Sequence, residues 1–416
     1  MTHLTMTALF LSALLLSSGI RLWLSLRQAA HVRGHRDAVP VEFAGGIDLA
    51  SHQKAADYTL AKGRHGRFDL AWGLVWVLLL TLGGGLQLMH DTVSTVFDPT
   101  GLWHGIALFG LLSVSGFLWE LPGSLYYTFS LEARFGFNKT TAALFLSDLA
   151  KSTLISVLIG APLLWCVLWL MRSMGAHWWI WTWGVLIAFN LAAMVIYPVF
   201  IAPLFNKFEP LKDEALAARV TQLLSRCGFR AKGLFVMDGS RRSGHGNAYF
   251  TGFGAAKRIV FYDTLLETLN PDEVEAVLAH ELGHFKHRHI VQRVAVFALL
   301  SFILFALLGW LGQQDAFFNG LGVSSRSEAL TLILFSLLLA PFTFPLTPLM
   351  SYWSRKHEFE ADAYAVAHAR ADDLVSALVK LYRDNASTLT PDPLHSLFYD
   401  SHPPAAIRIA HLKAAA

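Results

Sequence analysis

The chain has 416 residues, 54% of them hydrophobic and only 15% charged, against about 25% charged in an ordinary soluble domain. Its mean hydropathy is +0.45, which argues against a soluble protein, because so much apolar surface would drive association in water. A net charge of +3 is too small for a nucleic-acid surface, so no nucleic-acid partner is expected. The only two cysteines, Cys166 in an apolar run and Cys227 in a polar one, argue against a disulfide framework.

The N-terminus, MTHLTMTALFLSALLLSSGIRLWLSLRQ, has no basic residue before its apolar run and no clean cleavage site after it. It reads as a retained first span at 4–26 and not as a signal peptide. A spanning helix needs about 20 mainly apolar residues. Further candidates lie at 70–90, 102–127, 149–172, 178–203, 290–312 and 328–350. That makes about seven spans in contact with the bilayer. Glu120 and Pro122 interrupt the end of the third, and polar groups there should face protein or water. Asn190 in the fifth carries the same expectation.

Lys and Arg mark the cytoplasmic side. Arg27, Arg33, Arg36, Lys54, Lys62, Arg64 and Arg67 follow the first span, and no basic residue follows the second. The pattern places the N-terminus outside and the C-terminus in the cytoplasm. The chain then divides into five spans over 1–203, a cytoplasmic segment over 204–289, a two-span hairpin over 290–350 and a second cytoplasmic segment over 351–416. Both polar segments emerge on one side and can form one domain. Within the first, GLFVMDGS and KRIVFYDTLL read as strands. The expected fold is an all-α membrane protein with a mostly helical cytoplasmic domain that carries a small β-sheet.

Residues 270–289 read NPDEVEAVLAHELGHFKHRH. Asn270 suits an N-cap, Pro271 the first helical position and Glu273 a capping box. Val274, Val277, Leu278 and Leu282 recur at helical period. His280 and His284 therefore share one face of a helix, where two imidazoles can reach one tetrahedral zinc. Glu281 beside them can act as general base towards water. A catalytic site needs a third protein ligand. SRKHEFEADAYAVAH over 354–368 offers Glu358 and Asp362, four residues apart on one helical face, with Glu360 pointing elsewhere. The same spacing fits a solvated amphipathic helix, so periodicity alone leaves Glu358 open. His287 and His289 read as a basic cluster at the membrane surface, and His368 as a helix-surface residue.

AHELGHFKHRH, SRKHEFEADAYA and SHPPAAIRIAHL, in this order around a two-span hairpin and behind five spans, resemble the type I CAAX prenyl endopeptidases. FGFNKTT at 135–141 and HGNAYFTGFG at 245–254 share the resemblance, which covers nearly the whole chain. It implies a zinc metalloendopeptidase with one Zn2+ per chain. Its seven helices would enclose a water-filled chamber with the zinc at the cytoplasmic end. The E-x-x-x-D motif of that family falls on Glu358, implied as third ligand, and Asp362, implied to orient a ligand histidine. Asn247, Ala248 and Tyr249 are implied as a sheet edge that binds substrate. His402 of His-Pro-Pro is implied as a donor to the scissile carbonyl, with Asn247 nearby, although a helix-start turn would explain the same segment. Arg408 is implied near the substrate. The implied substrate is a peptide or protein lipidated at its C-terminus and cut after the lipidated cysteine. Quality-control proteolysis of membrane protein is the alternative. The compact chain, with no C-terminal retention signal, leans towards a bacterial inner membrane over the endoplasmic reticulum.

Two other classes meet specific objections. A site-2-type intramembrane protease keeps its H-E-x-x-H inside a span, but Asp272, Glu273, Glu275, Lys286 and Arg288 cannot sit in hydrocarbon. A transporter that merely binds zinc has no need of Glu281, which is not a ligand.

Overall fold

The computed structural model describes residues 2–251 and 258–415. The membrane half begins with α1 (His3–Gly34), whose first turn is capped by the Thr2 side chain. α2 (Leu49–Leu80) starts on Asp48, which accepts the Ser51 N–H. It breaks at Thr81–Gly84, and α3 (Gly85–Ser94) leaves at 51°. Gly84 sits at φ 74°, a left-handed conformation that glycine adopts without steric cost. α4 (Leu102–Tyr126) widens into a π-helix over Tyr127–Glu132. α5 (Ala142–Ser173) follows, and then α6 (Trp178–Ile196) runs through a π turn into α7 (Ala202–Phe205).

The first polar segment supplies α8 (Glu214–Arg226), α9 (Asp263–Thr268) and α10 (Pro271–Lys286) around a four-stranded sheet. Its strands are β1 (Phe208–Pro210), β2 (Gly233–Met237), β3 (Ala248–Thr251) and β4 (Arg258–Tyr262), in the order β1-β2-β4-β3. β4 pairs parallel to β2 and antiparallel to β3, so β3 is an edge. β2 and β4 were legible from the pattern, and the edge at β3 was implied by the resemblance. β1 is three residues ending on Pro210, too short for an alternating pattern. Gly252–Gly254 of the HGNAYFTGFG segment and Lys257 before β4 lie outside the described residues.

The hairpin is α11 (His289–Leu311), α12 (Asp315–Asn319) and α13 (Glu328–Thr343), which continues through one 3-10 turn into α14 (Thr347–His368). α15 (Ala371–Asp384), α16 (Pro393–Tyr399) and α17 (Ala405–Ala415) close the chain. Buried Val220, Ile259, Leu278, Leu282, Ala365 and Leu412 join the sheet, α8, α10, α14 and α17 in one core. The two polar segments therefore form one domain.

Among the described residues, six helices are long and apolar enough to cross a bilayer, and the bent α2–α3 pair makes a seventh. The second span is thus not the straight 70–90 helix that hydropathy suggested, because the Gly83-Gly84-Gly85 run breaks it. In α1, α4, α5, α6 and α11 the most apolar windows are only 6% to 22% buried by protein. A close-packed bundle would bury the inner face of each helix. The rest of each window faces away from the protein, towards lipid or water. Glu120 is exposed on α4, where a carboxylate requires water. Asn190 instead donates to its own helix, at Leu186 O, 2.8 Å.

Candidate metal centre and active site

α10 is held at its start and pressed close at its end. The Asn270 side chain accepts the Glu273 N–H, and the Glu273 carboxylate returns the bond to the Asn270 N–H. Buried Glu273 also accepts from Ser376 Oγ and Lys380 Nζ, each at 2.7 Å. The other end crosses α14 at Gly283. A Cβ there would lie 2.8 Å from Ala361 Cα, so only glycine lets the helices approach this closely. Gly283 escaped the sequence reading, although a glycine inside a capped helix is a signal for such contact.

That approach sets the H-E-x-x-H face of α10 against the E-x-x-x-D face of α14. The Nε2 atoms of His280 and His284 lie 3.3 Å apart. His280 Nε2 is 3.4 Å from Glu358 Oε2, and His284 Nε2 is 3.4 Å from Glu358 Oε1. Ligand atoms about 2.0–2.1 Å from one tetrahedral ion lie about 3.4 Å from each other. The donor set therefore has the spacing of a zinc site. The Glu358 carboxylate is 1% exposed, and its Oε2 accepts no hydrogen bond, which for a buried carboxylate oxygen calls for a cation. His402 Nδ1 approaches this oxygen to 2.7 Å but not along a hydrogen-bonding direction.

Behind these donors stands a second layer. His280 Nδ1 is 2.8 Å from Asp362 Oδ1, which favours the ring proton on Nδ1 and leaves the Nε2 lone pair free for a cation. Arg408 grips Asp362 with Nε at 2.9 Å and Nη2 at 2.5 Å, and its Nη1 is 3.7 Å from Glu358. Burial lowers the His280 pKa, but the Asp362 and Glu358 carboxylates outweigh it and raise the value to about 9. The cluster attracts positive charge, and a divalent cation competes for the same place.

The structure gives the remaining candidates distinct settings. Glu281 is half-buried beside His280. The His402 side chain is 63% exposed, on the open side of the cluster. Arg408, expected near substrate, is buried with 8% of its side chain exposed and engaged with Asp362, so it supports the site from behind. Asn247 is exposed just before β3, where its side chain accepts the Ala248 N–H. Among the described residues, no hydrogen bond ties Asn247 to the histidines or to Glu358. Ala248 and Tyr249 pair with Phe261 and Val260 of β4, with their other side on the sheet edge. The FGFNKTT loop braces this edge. Phe137 stacks on His245 at 4.2 Å, Asn138 bridges to Ser243, and the Lys139 N–H donates to Arg242 O.

One assignment needs correcting. His289 is not part of a basic surface cluster but is 1% exposed. It lies 2.9 Å from both His284 Nδ1 and Glu360 Oε2. His368 stays partly exposed and stacks on Tyr364, as a helix-surface residue does.

The whole chain can be compared with known proteins on this geometry. The family description "CAAX prenyl protease N-terminal, five membrane helices" matches residues 28–207, and "Peptidase family M48" matches 210–416. The CAAX prenyl protease 1 homolog of Arabidopsis thaliana is 41% identical over 397 residues, covering 93% of this chain and 92% of that protein. The chain belongs to the M48 CAAX prenyl protease family. CAAX prenyl protease 1 of Saccharomyces cerevisiae is 35% identical, covering 88% and 86%. The Homo sapiens homolog is 30% identical, covering 97% and 95%. The crystal structure of S. mikatae Ste24p superposes with a TM-score of 0.92 at 33% identity, covering 98% of this chain and 99% of that one. As a member of the CAAX prenyl protease family, this chain is a multi-pass membrane metalloendopeptidase. The relatives named here are eukaryotic, so a bacterial inner membrane draws no support from them.

Proposed function

We propose that this chain cuts a peptide bond next to a prenylated cysteine near the C-terminus of its substrate. One zinc per chain would be held by His280, His284 and Glu358. The observation that carries the reading is the buried set of donors 3.3–3.4 Å apart with an unsatisfied carboxylate oxygen. The prenylated substrate class comes from the names of the relatives.

When bound by these residues, zinc would supply a Lewis acid able to make water nucleophilic near neutral pH. Glu281 takes the proton of the attacking water and passes it to the leaving amine as the C–N bond breaks. His402, on the open side, donates to the carbonyl oxygen as it gains charge, with Asn247 as a second donor. The free edge of β3 pairs with the substrate backbone as an added strand, with Ala248 and Tyr249 setting its register. The active site faces the cytoplasm.

The test uses purified protein in liposomes with a farnesylated CAAX peptide and its unprenylated twin, read by mass spectrometry. The expected result is release of the residues beyond the prenylcysteine. Glu281→Gln should keep its zinc and lose at least about 100-fold in turnover, since general bases contribute about 10²–10⁴. Equal cleavage of both peptides would overturn the substrate class. Turnover of Glu281→Gln within about tenfold of wild type would overturn the general base.

A further inference from the structure

Beside the zinc ligands lies a second group of ligand-type side chains, His289, His357 and Glu360. His289 Nε2 is 2.9 Å from Glu360 Oε2, and His289 Nδ1 is 2.9 Å from His284 Nδ1. The His357 ring lies parallel to His289 at 3.8 Å, with an interplanar angle of 6°. A second metal ion and a hydrogen-bonded chain are both conceivable uses of such a cluster.

The count of protons separates them. With a metal on His284 Nε2, the single proton of that neutral ring sits on Nδ1. This N–H needs an acceptor, and His289 Nδ1 is the atom it meets. His289 then carries its own proton on Nε2, which donates to Glu360. A protonated nitrogen has no lone pair for a cation. Without His289 the group falls to two donors, below the three protein ligands that zinc sites use. His357 Nε2 is partnered by Gln292 Oε1 at 3.2 Å, and its buried Nδ1 has no hydrogen-bond partner, but one imidazole and Glu360 alone do not make a zinc site.

The backbone is shaped for this contact. On a continuous helix His289 would lie about 140° around the axis from His284. Instead Arg288, between α10 and α11, adopts φ 55° and ψ 34°. That left-handed turn is uncommon for a residue with a side chain and is typical of functional sites. It swings His289 back onto the face of His284.

We propose that His289 is the positioning residue for His284, and that Glu360 completes the relay His284–His289–Glu360. The inference rests on the zinc reading above. Glu360 draws the His289 proton, His289 draws the His284 proton, and His284 Nε2 becomes a better-aimed and more basic ligand. Each ligand histidine thus has its own carboxylate: Asp362 acts directly on His280, and Glu360 acts through an intervening imidazole on His284.

The experiment measures zinc affinity by chelator competition and the visible spectrum of the cobalt-substituted protein. Wild type should bind one zinc per chain even in excess metal. His289→Phe should weaken zinc about 10–100-fold and change the cobalt spectrum. His289→Asn, whose amide oxygen can still accept from His284 Nδ1, should recover most of the affinity and the spectrum. Glu360→Gln should weaken zinc in the same direction by less, and it carries the test should His289→Phe fail to fold. Unchanged affinity and spectrum in His289→Phe and Glu360→Gln would overturn the relay. So would two zinc ions per wild-type chain, one of them lost with His289. Absence of zinc from wild type would overturn the zinc reading itself, a separate result.

Discussion

Replacing Asp362 by Asn is the most direct test of how the site is supported. Asp362 is fully buried. Three N–H groups converge on its two oxygens: His280 Nδ1 and Arg408 Nη2 on Oδ1, and Arg408 Nε on Oδ2. An asparagine has one oxygen and one NH2 group, so one orientation opposes Arg408 Nε and the other opposes His280. Either way a buried charge-assisted hydrogen bond becomes a donor–donor contact, and the carboxylate charge behind the zinc ligand disappears. Such a bond contributes about 1.5–3 kcal/mol. At about 1.4 kcal/mol per factor of ten, zinc affinity should fall about 10–100-fold, as expected for a group that orients a ligand histidine. The assay is chelator competition on detergent-solubilised protein at fixed pH, with helix content checked by circular dichroism. A folded Asp362→Asn protein whose zinc affinity stays within about twofold of wild type would refute the reasoning.

Other substitutions separate the remaining roles. Glu358→Ala should lose its zinc on dialysis and its activity with it, and a full zinc complement would remove Glu358 from the ligand set. His402→Ala should keep zinc and lose about 10²–10³ in turnover, whereas loss of metal would recast His402 as a support of Glu358. Gly283→Ala places a methyl group against Ala361 and should destabilise the domain by about 1–3 kcal/mol, with weaker zinc. Unfolding and metal titrations no different from wild type would mean that α10 and α14 can separate at no cost.

Much of this architecture was legible because its signals are local. The capping box at Asn270 and Glu273, the helical spacing of His280 and His284, and the apolar spans each depend on a few neighbouring residues. Glu358 was legible only in part, since the same spacing suits a solvated helix. What settles its setting is the approach of α14 to α10 at Gly283, a tertiary fact. The true place of His289 was hidden for a related reason. Its side chain returns to the site only because Arg288 turns left-handed, and nothing in HFKHRH announces that turn. The bend between α2 and α3 was missed because a hydropathy window averages over the glycines that make it. The buried setting of Arg408 depends on α17 folding back against α14 from the end of the chain.

The two histidine donors and the Glu358 carboxylate belong to different limbs of the chain. Between His280 and Glu358 run both helices of the membrane hairpin, so a metal held by these residues fastens a ring whose far side lies inside the bilayer. Unfolding the domain built from the two polar segments means opening that ring, and the free energy of metal binding is set directly against the opening. The five-helix half stands outside the ring, with no ligand in it. Stripping the metal should therefore loosen α10 from α14, while the hairpin stays packed on the first five spans through a shared core that includes Met6, Phe10, Leu108, Leu168, Leu330 and Ile333. The midpoint for unfolding this domain should therefore climb with metal concentration, while the membrane core, which holds none of these donors, should respond far less.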